Sequence, residues 1–438
     1  MKTFSSGSNN PTRDHRNSLA IRHNQQKNVV NSLMPSIINS IMLHYFKFKN
    51  FFSIAEEAEV SFRVGQKTPQ TDLICSGAEG AHLSKLIAII GANGSGKTNV
   101  LKPLAFLRWF ICDSFSSKKP DDDIPVEPHF FLDENNSEFE MVFEIEGQLY
   151  RYNLIVNRRK VVHEALFLKT SKFFSYLFRR DWDETKDKYL IRQQKFGFAV
   201  KEAEKVRPNA SLISTAAQYN VSCVLSLVKF FNRFHSNVDY GGRDHFEVED
   251  LLKATEFFHE WPDIKQRMAN IMCRLDLGLS DVAIEKHEIT DKTGDTRELP
   301  IPYGIHRKAD KEVRLPLWQE SNGTQRAYVL LLKMLPALAD GGVVIIDEME
   351  ADMHPEMLTT LLEMFMDPDI NPHNAQIIFT CHVHEVLNIL DKTQILLVEK
   401  NKDGISDVWR LDEIQGVRRD DNLYAKYRAG AYGAVPNF

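Results

Sequence analysis

Apolar residues recur along this chain at two spacings, and each spacing predicts one kind of secondary structure. Residues 87–90 are consecutively apolar and end at a glycine, a pattern typical of a strand buried on both faces. Beyond the glycine-rich turn that follows, Val100, Leu104, Leu107 and Ile111 share one face at helical spacing. A buried strand, a glycine-rich turn and a helix are therefore predicted in this order.

Strands are also predicted on both sides of this unit, where apolar and polar residues alternate or where short apolar runs occur. Two strands are expected upstream, within residues 43–64. Downstream we expect an antiparallel meander, then a hairpin, then three buried strands of which the third is the last strand of the chain. Their positions are 139–145, 148–156 and 161–168 for the meander, 282–289 with 299–303 for the hairpin, and 342–348, 376–380 and 395–399 for the buried strands.

Helices are predicted where apolar residues recur every three or four positions, within 210–234 and 248–277 and at 326–338 and 355–366. The N-terminal residues are polar and show no sustained period, which predicts a disordered tail. The chain is expected to comprise this tail (1–41), a first lobe (42–170), a mainly helical insertion or lid (171–310) and a second lobe (311–438).

Composition adds three constraints to this picture. The 438 residues are 43% hydrophobic and 26% charged, which is usual for a globular protein. The formal net charge of −6 gives no general reason to expect nucleic-acid binding, although a local basic patch would be compatible with it. The five cysteines form no C-x-x-C pair and no apolar run is long enough to cross a bilayer, so a cytoplasmic location without membrane contact is expected.

The turn after the first buried strand has the chemistry of a phosphate-binding loop, because it matches G-x-x-x-x-G-K-[ST]. Its glycines allow backbone N–H groups to converge on a phosphate, and the following helix directs its N-terminus at the same anion. Lys97 is expected to reach the β- and γ-phosphate oxygens and Thr98 to offer its hydroxyl to Mg²⁺. The predicted nucleotide-binding residues here are Gly91, Ala92, Asn93, Gly94, Ser95, Gly96, Lys97, Thr98 and Asn99.

Two carboxylates follow the apolar residues of the strand predicted at 342–348. In a Walker B arrangement Asp347 would hold Mg²⁺, and Glu348 would act as the general base for the attacking water. A structural alternative is that the two acids lie on the surface and cap the next helix. Four apolar residues immediately before them favour the catalytic interpretation.

The segment Glu320-Ser-Asn-Gly-Thr-Gln325 is less specific by itself, because Ser321 and Gly323 could either bind an anion or simply cap a helix. Its order with the phosphate loop, the Walker B acids, His354-Pro355 and a strand-end His382 resembles the ABC-type ATPase heads of the SMC, RecF and overcoming-lysogenisation-defect superfamily. The closing Tyr427-Arg-x-Gly-x-Tyr-Gly-Ala-Val-Pro436 is similar to stand-alone ATPases of bacterial abortive-infection systems, the AbiL and RloA type.

That resemblance implies an α/β fold, with a mixed sheet flanked by helices, an antiparallel meander and a mostly helical insertion. It implies ATP and Mg²⁺ as cofactors, Lys97, Glu348 and His382 as catalytic residues, and Ser321 and Gly323 as contacts to nucleotide in another subunit. It also implies a homodimer or higher homo-oligomer, and an anti-phage role in which nucleotide state controls a separate effector. A Toprim-like nuclease of the RloB type is the expected effector.

Two departures from the family pattern limit the resemblance. No glutamine loop is found after the phosphate-loop helix, and the Leu-Ser-Gly-Gly-Gln of transporters is missing. No heptad run supplies the coiled coil of an SMC protein, and too few residues follow His382 for a Toprim domain. A RecF- or SMC-like ATPase that binds DNA in repair or maintenance is the alternative function, so nucleic acid is a possible but not a required partner.

Overall fold

The computed structural model describes residues 41–275, 277–290 and 296–435. In chain order its strands are β1 (Ile41–Lys49), β2 (Ala58–Ser61), β3 (Arg63–Val64), β4 (Ile74–Ser76), β5 (His82–Ser84), β6 (Leu86–Ile90), β7 (Ser137–Ile145), β8 (Gln148–Val156), β9 (Val161–Lys169), β10 (Phe174–Asp183), β11 (Lys188–Gln193), β12 (Phe234–Ser236), β13 (Asp281–Thr290), β14 (Thr296–Lys308), β15 (Lys311–Pro316), β16 (Val343–Ile346), β17 (Gln376–Thr380), β18 (Ile395–Lys400) and β19 (Ser406–Arg410). Its α-helices are α1 (Lys97–Ser117), α2 (Val200–Ala203), α3 (Leu212–Gln218), α4 (Ser222–Asn232), α5 (Val248–Glu260), α6 (Pro262–Arg274), α7 (Asn322–Asp340), α8 (Pro355–Met366) and α9 (Leu423–Arg428).

One layer is a seven-stranded antiparallel sheet with the order β11-β10-β9-β8-β7-β1-β2. Five of these strands, β7 to β11, follow one another along the chain as a meander. The turn at Glu146 and Gly147 connects β7 to β8, and both of its residues have positive φ, as a two-residue hairpin connection requires. Strands β13, β14 and β15 form a separate three-stranded antiparallel sheet, and β3, β5 and β4 form another.

The second layer is a six-stranded sheet with the order β12-β16-β17-β6-β18-β19. The first five strands are parallel, and β19 pairs antiparallel with β18. Parallel neighbours end at the same edge of a sheet, so the residues after β6, β12, β16 and β17 meet there. This edge is where the predicted phosphate loop and Walker B acids lie.

Alternate residues of the parallel strands enter two different cores. Ile87 and Ile89 of β6 face the core that contains α1 and the antiparallel sheet. Leu86, Ala88 and Ile90 face the opposite core, which contains α5, α6, α7 and α8. A parallel sheet covered on both faces needs such consecutively apolar strands, which explains the pattern at 87–90.

The predicted fold class is confirmed: a mixed sheet is flanked by helices and accompanied by an antiparallel meander. The predicted strands and helices are present, with bounds shifted by a few residues. Within 171–310, helices α2 to α6 occupy only the middle, where β12 interrupts them and joins the parallel sheet; β10 and β11 extend the meander before them, and β13 and β14 follow them. Strands β15 and β19 were not expected, so the strand at Ile395–Lys400 is not the last one.

The predicted N-terminal tail lies outside the described residues except for Ile41. That residue belongs to β1, is 5% exposed and pairs with Ile145, so the strand begins one residue before the predicted boundary. Residue Pro436 of the closing motif also lies outside the described residues. Among the described helices, none combines the length and the apolar character that a bilayer crossing requires.

Candidate functional site

The phosphate loop connects β6 to α1 and is held by close backbone contacts. Gly96 precedes α1 with φ +105°, a conformation that favours glycine. A Cβ at this position would collide with the hydroxyls of Ser406 and Ser53, and one at Gly91 would collide with the carbonyl oxygen of Val398. The two glycines therefore allow β18, β19 and the β1–β2 connection to pack directly against the loop.

Lys97 is the first residue of α1 and its ammonium lies inside the loop. Its Nζ donates to the carbonyl oxygens of Gly91 at 2.9 Å and Ala92 at 3.0 Å. The side chain is nearly buried, and burial lowers its pKa, while Asp347 and Glu350 act in the opposite direction. A buried cation bonded only to neutral carbonyls has unused capacity for an anion such as a phosphate.

Asp347 connects four elements of the site. Its carboxylate accepts from the Thr98 hydroxyl at 2.8 Å and from the Thr380 hydroxyl at 2.6 Å. Its backbone exchanges two hydrogen bonds with the Asn237 amide, the N–H donating to Oδ1 at 2.7 Å and the carbonyl accepting from Nδ2 at 3.0 Å. Asp347 is 3% exposed, so these contacts fix a buried carboxylate beside the Thr98 hydroxyl.

Glu348 lies next to Asp347 in an unusual backbone conformation. Its φ is +49°, which is rare for a residue with a Cβ, and its N–H donates to the Thr380 hydroxyl at 2.7 Å. The side chain is half-exposed and forms an ion pair with Arg243. The strained turn directs one acid, Asp347, towards Thr98 and the next, Glu348, towards the open side of the site.

His382 follows β17, and its N–H donates to a carboxylate oxygen of Glu350. Burial and the nearby Lys97 ammonium lower the pKa of His382. Its imidazole is therefore neutral at physiological pH and has one N–H to donate. The second oxygen of Glu350 is buried without a hydrogen-bond partner.

A cavity of about 1070 Å³ brings most of the predicted residues together. Its lining consists of Gly91, Ala92, Asn93, Gly94, Ser95, Gly96, Lys97, Thr98, Asn99, Asp347, Glu348, His382, His384 and Lys400. The predicted phosphate loop, both Walker B acids and the strand-end histidine thus share one space. Such a lining combines backbone N–H groups, a lysine and oxygen ligands, which together suit a phosphate and a divalent cation.

Ser321 and Gly323 do not line this cavity. Ser321 is the N-cap of α7, and its hydroxyl oxygen accepts from the Thr324 N–H at 3.2 Å. A Cβ at Gly323 would lie 2.7 Å from the carbonyl oxygen of Asp352, so the start of α7 packs tightly on the segment after the Walker B acids. Ser321 therefore caps its own helix, and both residues lie away from the cavity of their own chain.

Five residues of the site were not predicted from the sequence: Asn237, Arg243, Thr380, His384 and Lys400. Thr380 ends the strand predicted at 376–380 and Lys400 follows the one predicted at 395–399, both at the edge where the phosphate loop lies, so strand order would have pointed to them. Asn237 and Arg243 come from the segment after β12, a strand of only three residues, and carry no local motif. Asn237 reaches Asp347 because β12 lies parallel to β16.

Comparisons with solved structures found proteins of similar architecture. Two solved structures of Smc head domains are similar, one bound to the C-winged helix domain of ScpA and one, with an extended coiled coil, bound to the C-terminal domain of ScpA derived from Pyrococcus furiosus. The first is 12% identical, covers 86% of this chain and 99% of its own, and has a TM-score of 0.42. The second is 13% identical, covers 85% and 97%, and has a TM-score of 0.39.

No curated protein sequence matches this chain. A protein-family model does match it, over residues 86–388, which is well over half of its length. The match begins with β6, before the phosphate loop, and extends beyond His382. The chain therefore belongs to the family described as AAA domain, putative AbiEii toxin, Type IV TA system.

Proposed function

We propose that this protein is a Mg²⁺-dependent ATPase whose turnover requires two copies of the chain and whose nucleotide state controls a separate effector. The observation that carries the ATPase is the single cavity shared by the phosphate loop, the Thr98–Asp347 pair and Glu348. The residues that we assign to phosphate binding, cation binding and water activation, three functions that hydrolysis needs, thus share one cavity.

The oxygen atoms of Thr98 and Asp347 fit Mg²⁺. One hydroxyl and one carboxylate face each other at 2.8 Å, and hard oxygen donors are the ligands that Mg²⁺ prefers. This cation usually takes only one or two protein carboxylates and completes its shell with phosphates and water. Bound here, Mg²⁺ would neutralise charge on the β- and γ-phosphates.

In the proposed hydrolysis each neighbouring side chain has one role. The oxygen of a water molecule forms a bond to the γ-phosphorus, the bond to the bridging oxygen breaks, and ADP and phosphate are left. Glu348 takes the proton of that water, and Lys97 exchanges its bonds to the loop carbonyls for phosphate oxygens. The neutral His382 donates a hydrogen bond to the γ-phosphate.

The proposed contribution of the second copy comes from Ser321 and Gly323. These residues lie at the N-terminus of a 19-residue helix, where free backbone N–H groups favour an anion. They are outside the cavity of their own chain, so we assign them to the nucleotide of a partner. Each nucleotide would then contact the phosphate loop of one copy and the α7 terminus of the other.

The proposed biological role is that of an AbiL- or RloA-like switch in anti-phage defence. The description of its family, which names a putative toxin, and the motif resemblance support this role. A switch needs a surface that differs between nucleotide states, and we assign this surface to residues 171–310, most of which the ATP site does not use. The effector would be a nuclease of the Toprim-like RloB type.

The ATPase is tested by phosphate release from the purified full chain with Mg²⁺ and ATP. Glu348→Gln should bind ATP and lose turnover, because the amide cannot accept the water proton. Glu57→Gln, at a carboxylate whose side chain is 62% exposed on the first lobe, is the matched control and should keep the wild-type rate. Loss of ATP binding in Glu348→Gln, or turnover equal to the control, would contradict the proposed roles.

The effector is tested separately, by co-expression with the product of the neighbouring gene. Its binding should differ between the ATP and ADP states, while the isolated ATPase should cleave neither DNA nor RNA. Nuclease activity that a point change in this chain removes would overturn the proposal. Duplex-DNA binding that weakens steeply with salt would instead indicate the DNA-clamp function.

A further inference from the structure

The cavity has surfaces for phosphate and cation but none for a base. Its described lining residues include no Phe, Tyr or Trp. The only rings are those of two histidines, and the ring of His384 already packs edge-on against Tyr427 at a centroid distance of 4.8 Å. The base of a bound nucleoside triphosphate therefore needs a planar apolar surface beyond these walls.

Two aromatic rings are unusually exposed in the loop between α1 and β7. Phe130 and Phe131 are 70% and 69% exposed, and their centroids lie 4.2 Å apart. The ring of His129 stacks on Phe130 at 4.8 Å with an interplanar angle of 15°. Two adjacent phenylalanine rings in water cost free energy that a bound apolar surface would recover.

The loop that carries the rings is firmly anchored. The buried Asn50 side chain donates to the carbonyl oxygens of Glu134 at 2.8 Å and Asn136 at 2.9 Å, and accepts from the His129 N–H at 2.7 Å. The Phe52 N–H donates to the Glu127 carbonyl oxygen at 2.7 Å. Both ends of the loop are thus fixed to the segment after β1, and the exposure of the rings follows from the fold.

The rings lie beside a turn that begins at a residue of the cavity wall and ends at a residue bonded to the phosphate loop. Phe130 Cζ lies 3.5 Å, and Phe131 Cε2 3.9 Å, from the place where Gly404 would carry a Cβ. Gly404 belongs to the turn between Lys400, which lines the cavity, and Ser406, whose hydroxyl donates to the Ser95 carbonyl oxygen at 2.6 Å. Gly404 is two residues from Ser406, and two residues span at most about 7 Å, so the ring pair lies close to the phosphate loop.

We propose that Phe130 and Phe131 form the base subsite, on which the purine base of a nucleoside triphosphate stacks while the phosphate loop holds its phosphates. This inference rests on the proposed nucleotide binding and adds the residues that contact the base. The exposed apolar group is small: among the described residues, Leu132, at 37% exposure, is the one large exposed hydrophobic residue next to the two rings in the sequence. That suits one planar base better than a stable protein interface, which buries about 1,000 Å² or more.

The experiment compares two ligands on the full chain by calorimetry, Mg·ATP and Mg·tripolyphosphate, which lacks the base. In Phe130→Ala/Phe131→Ala the Kd for ATP should rise about tenfold, since stacking on an aromatic side chain contributes to this extent. The Kd for tripolyphosphate should not change. Phe173→Ala removes a ring that is 73% exposed and directly precedes β10 of the antiparallel sheet. This control should bind both ligands like the wild type.

Phe130→Tyr/Phe131→Tyr, which keeps both rings, should retain wild-type affinity for ATP and covers the case in which the alanine variant does not fold. An unchanged Kd for ATP in the alanine variant, or an equal loss for both ligands, would overturn the base subsite. Equal affinity of the wild type for ATP and tripolyphosphate would also overturn it, while leaving phosphate binding intact. If the wild type bound neither ligand, the proposed ATPase would fail as well.

Discussion

The guanidinium of Arg243 is ion-paired with Glu348, the proposed general base. Arg243 is held in the segment after β12 by a backbone bridge to Val238. Burial lowers the pKa of the guanidinium and Arg326 adds to this effect, whereas the acids Asp347, Glu350 and Asp352 oppose it. A carboxylate neutralised by a guanidinium is a weaker proton acceptor, so this contact restrains Glu348 in the isolated chain.

Arg243→Ala should therefore raise the basal rate of ATP hydrolysis several-fold, because it frees the carboxylate for the attacking water. The KM for ATP should change little, since Arg243 is not among the residues that line the cavity. Steady-state phosphate release over a range of ATP concentrations measures both constants.

The matched control for this variant is Arg159→Ala, which breaks an exposed ion pair with Asp123 far from the acids of the site. It should keep both constants of the wild type. A fall in kcat for Arg243→Ala would show that the guanidinium assists the reaction instead of restraining Glu348.

Glu348→Gln should accumulate as an ATP-dependent dimer, because binding survives in this variant while the closed state is not released by hydrolysis. Ser321 caps its own helix outside the cavity, so we assign its phosphate contact to another copy. Light scattering at saturating ATP should show twice the monomer mass, with the monomer recovered in ADP. A monomer at saturating ATP would be incompatible with the composite site.

Lys97→Ala and Ser321→Arg should fail in different ways. The first removes the buried cation of the loop and most nucleotide affinity. The second keeps the loop intact but places a large cation where the partner's γ-phosphate should fit, so ATP binds and is not hydrolysed. Mixing the two variants should restore part of the activity, since one site of a mixed dimer contains neither change. No recovery at any ratio would weaken the two-copy arrangement.

The parts of this site that could be predicted from the sequence are those whose chemistry is local. The phosphate loop is a contiguous motif between a strand and a helix, and the Walker B acids directly follow an apolar strand. Each motif is a short contiguous pattern next to a predicted strand. Because the carboxyl ends of parallel strands meet at one edge of the sheet, the place of both motifs follows from the fold class. His382 follows the strand predicted at 376–380, and its role is implied by the resemblance in motif order.

Asn237 and Arg243 could not be found in this way. Asn237 bonds to a residue 110 positions away, and the strand that brings it there has three residues. The pairing of β12 with β16 depends on packing against distant parts of the chain, which no short pattern encodes. The base subsite has the same origin, because Phe130 meets Gly404 only through the folding of distant segments.

The stability of the protein should fall in mild acid through His235. Burial, and then the charges of Lys333, Arg108 and Arg233, lower the pKa of His235 to about 3, against about 6.5 in an unfolded chain. Between pH 6.5 and pH 3 the unfolded state binds one more proton at His235 than the folded state does. The free energy of unfolding is therefore unaffected by this proton above pH 6.5 and decreases as the pH falls towards 3. At pH 5 this effect lowers the free energy of unfolding by about 2 kcal/mol.

His235→Gln should therefore lose less of its free energy of unfolding than the wild type between pH 7 and pH 5. Urea unfolding at the two pH values measures this difference. Equal losses in the wild type and in His235→Gln would exclude His235 as the cause.

Asn237→Ala should weaken Mg²⁺ activation more than it weakens ATP binding. The amide bonds the backbone of Asp347 on both sides, so its loss frees the carboxylate that faces Thr98. Residues that orient a metal ligand typically affect metal affinity about 10- to 100-fold when they are replaced. The Mg²⁺ concentration for half-maximal hydrolysis should rise by about tenfold or more, while ATP affinity without Mg²⁺ should hold. Asn153→Ala, which removes an amide bonded at 2.9 Å to Glu140 on the antiparallel sheet, should leave both quantities unchanged.

Two outcomes would contradict this role of Asn237. An equal loss in the two asparagine variants would assign the effect to general destabilisation. An unchanged Mg²⁺ requirement in Asn237→Ala would show that the carboxylate of Asp347 is positioned by Thr98 and Thr380 alone.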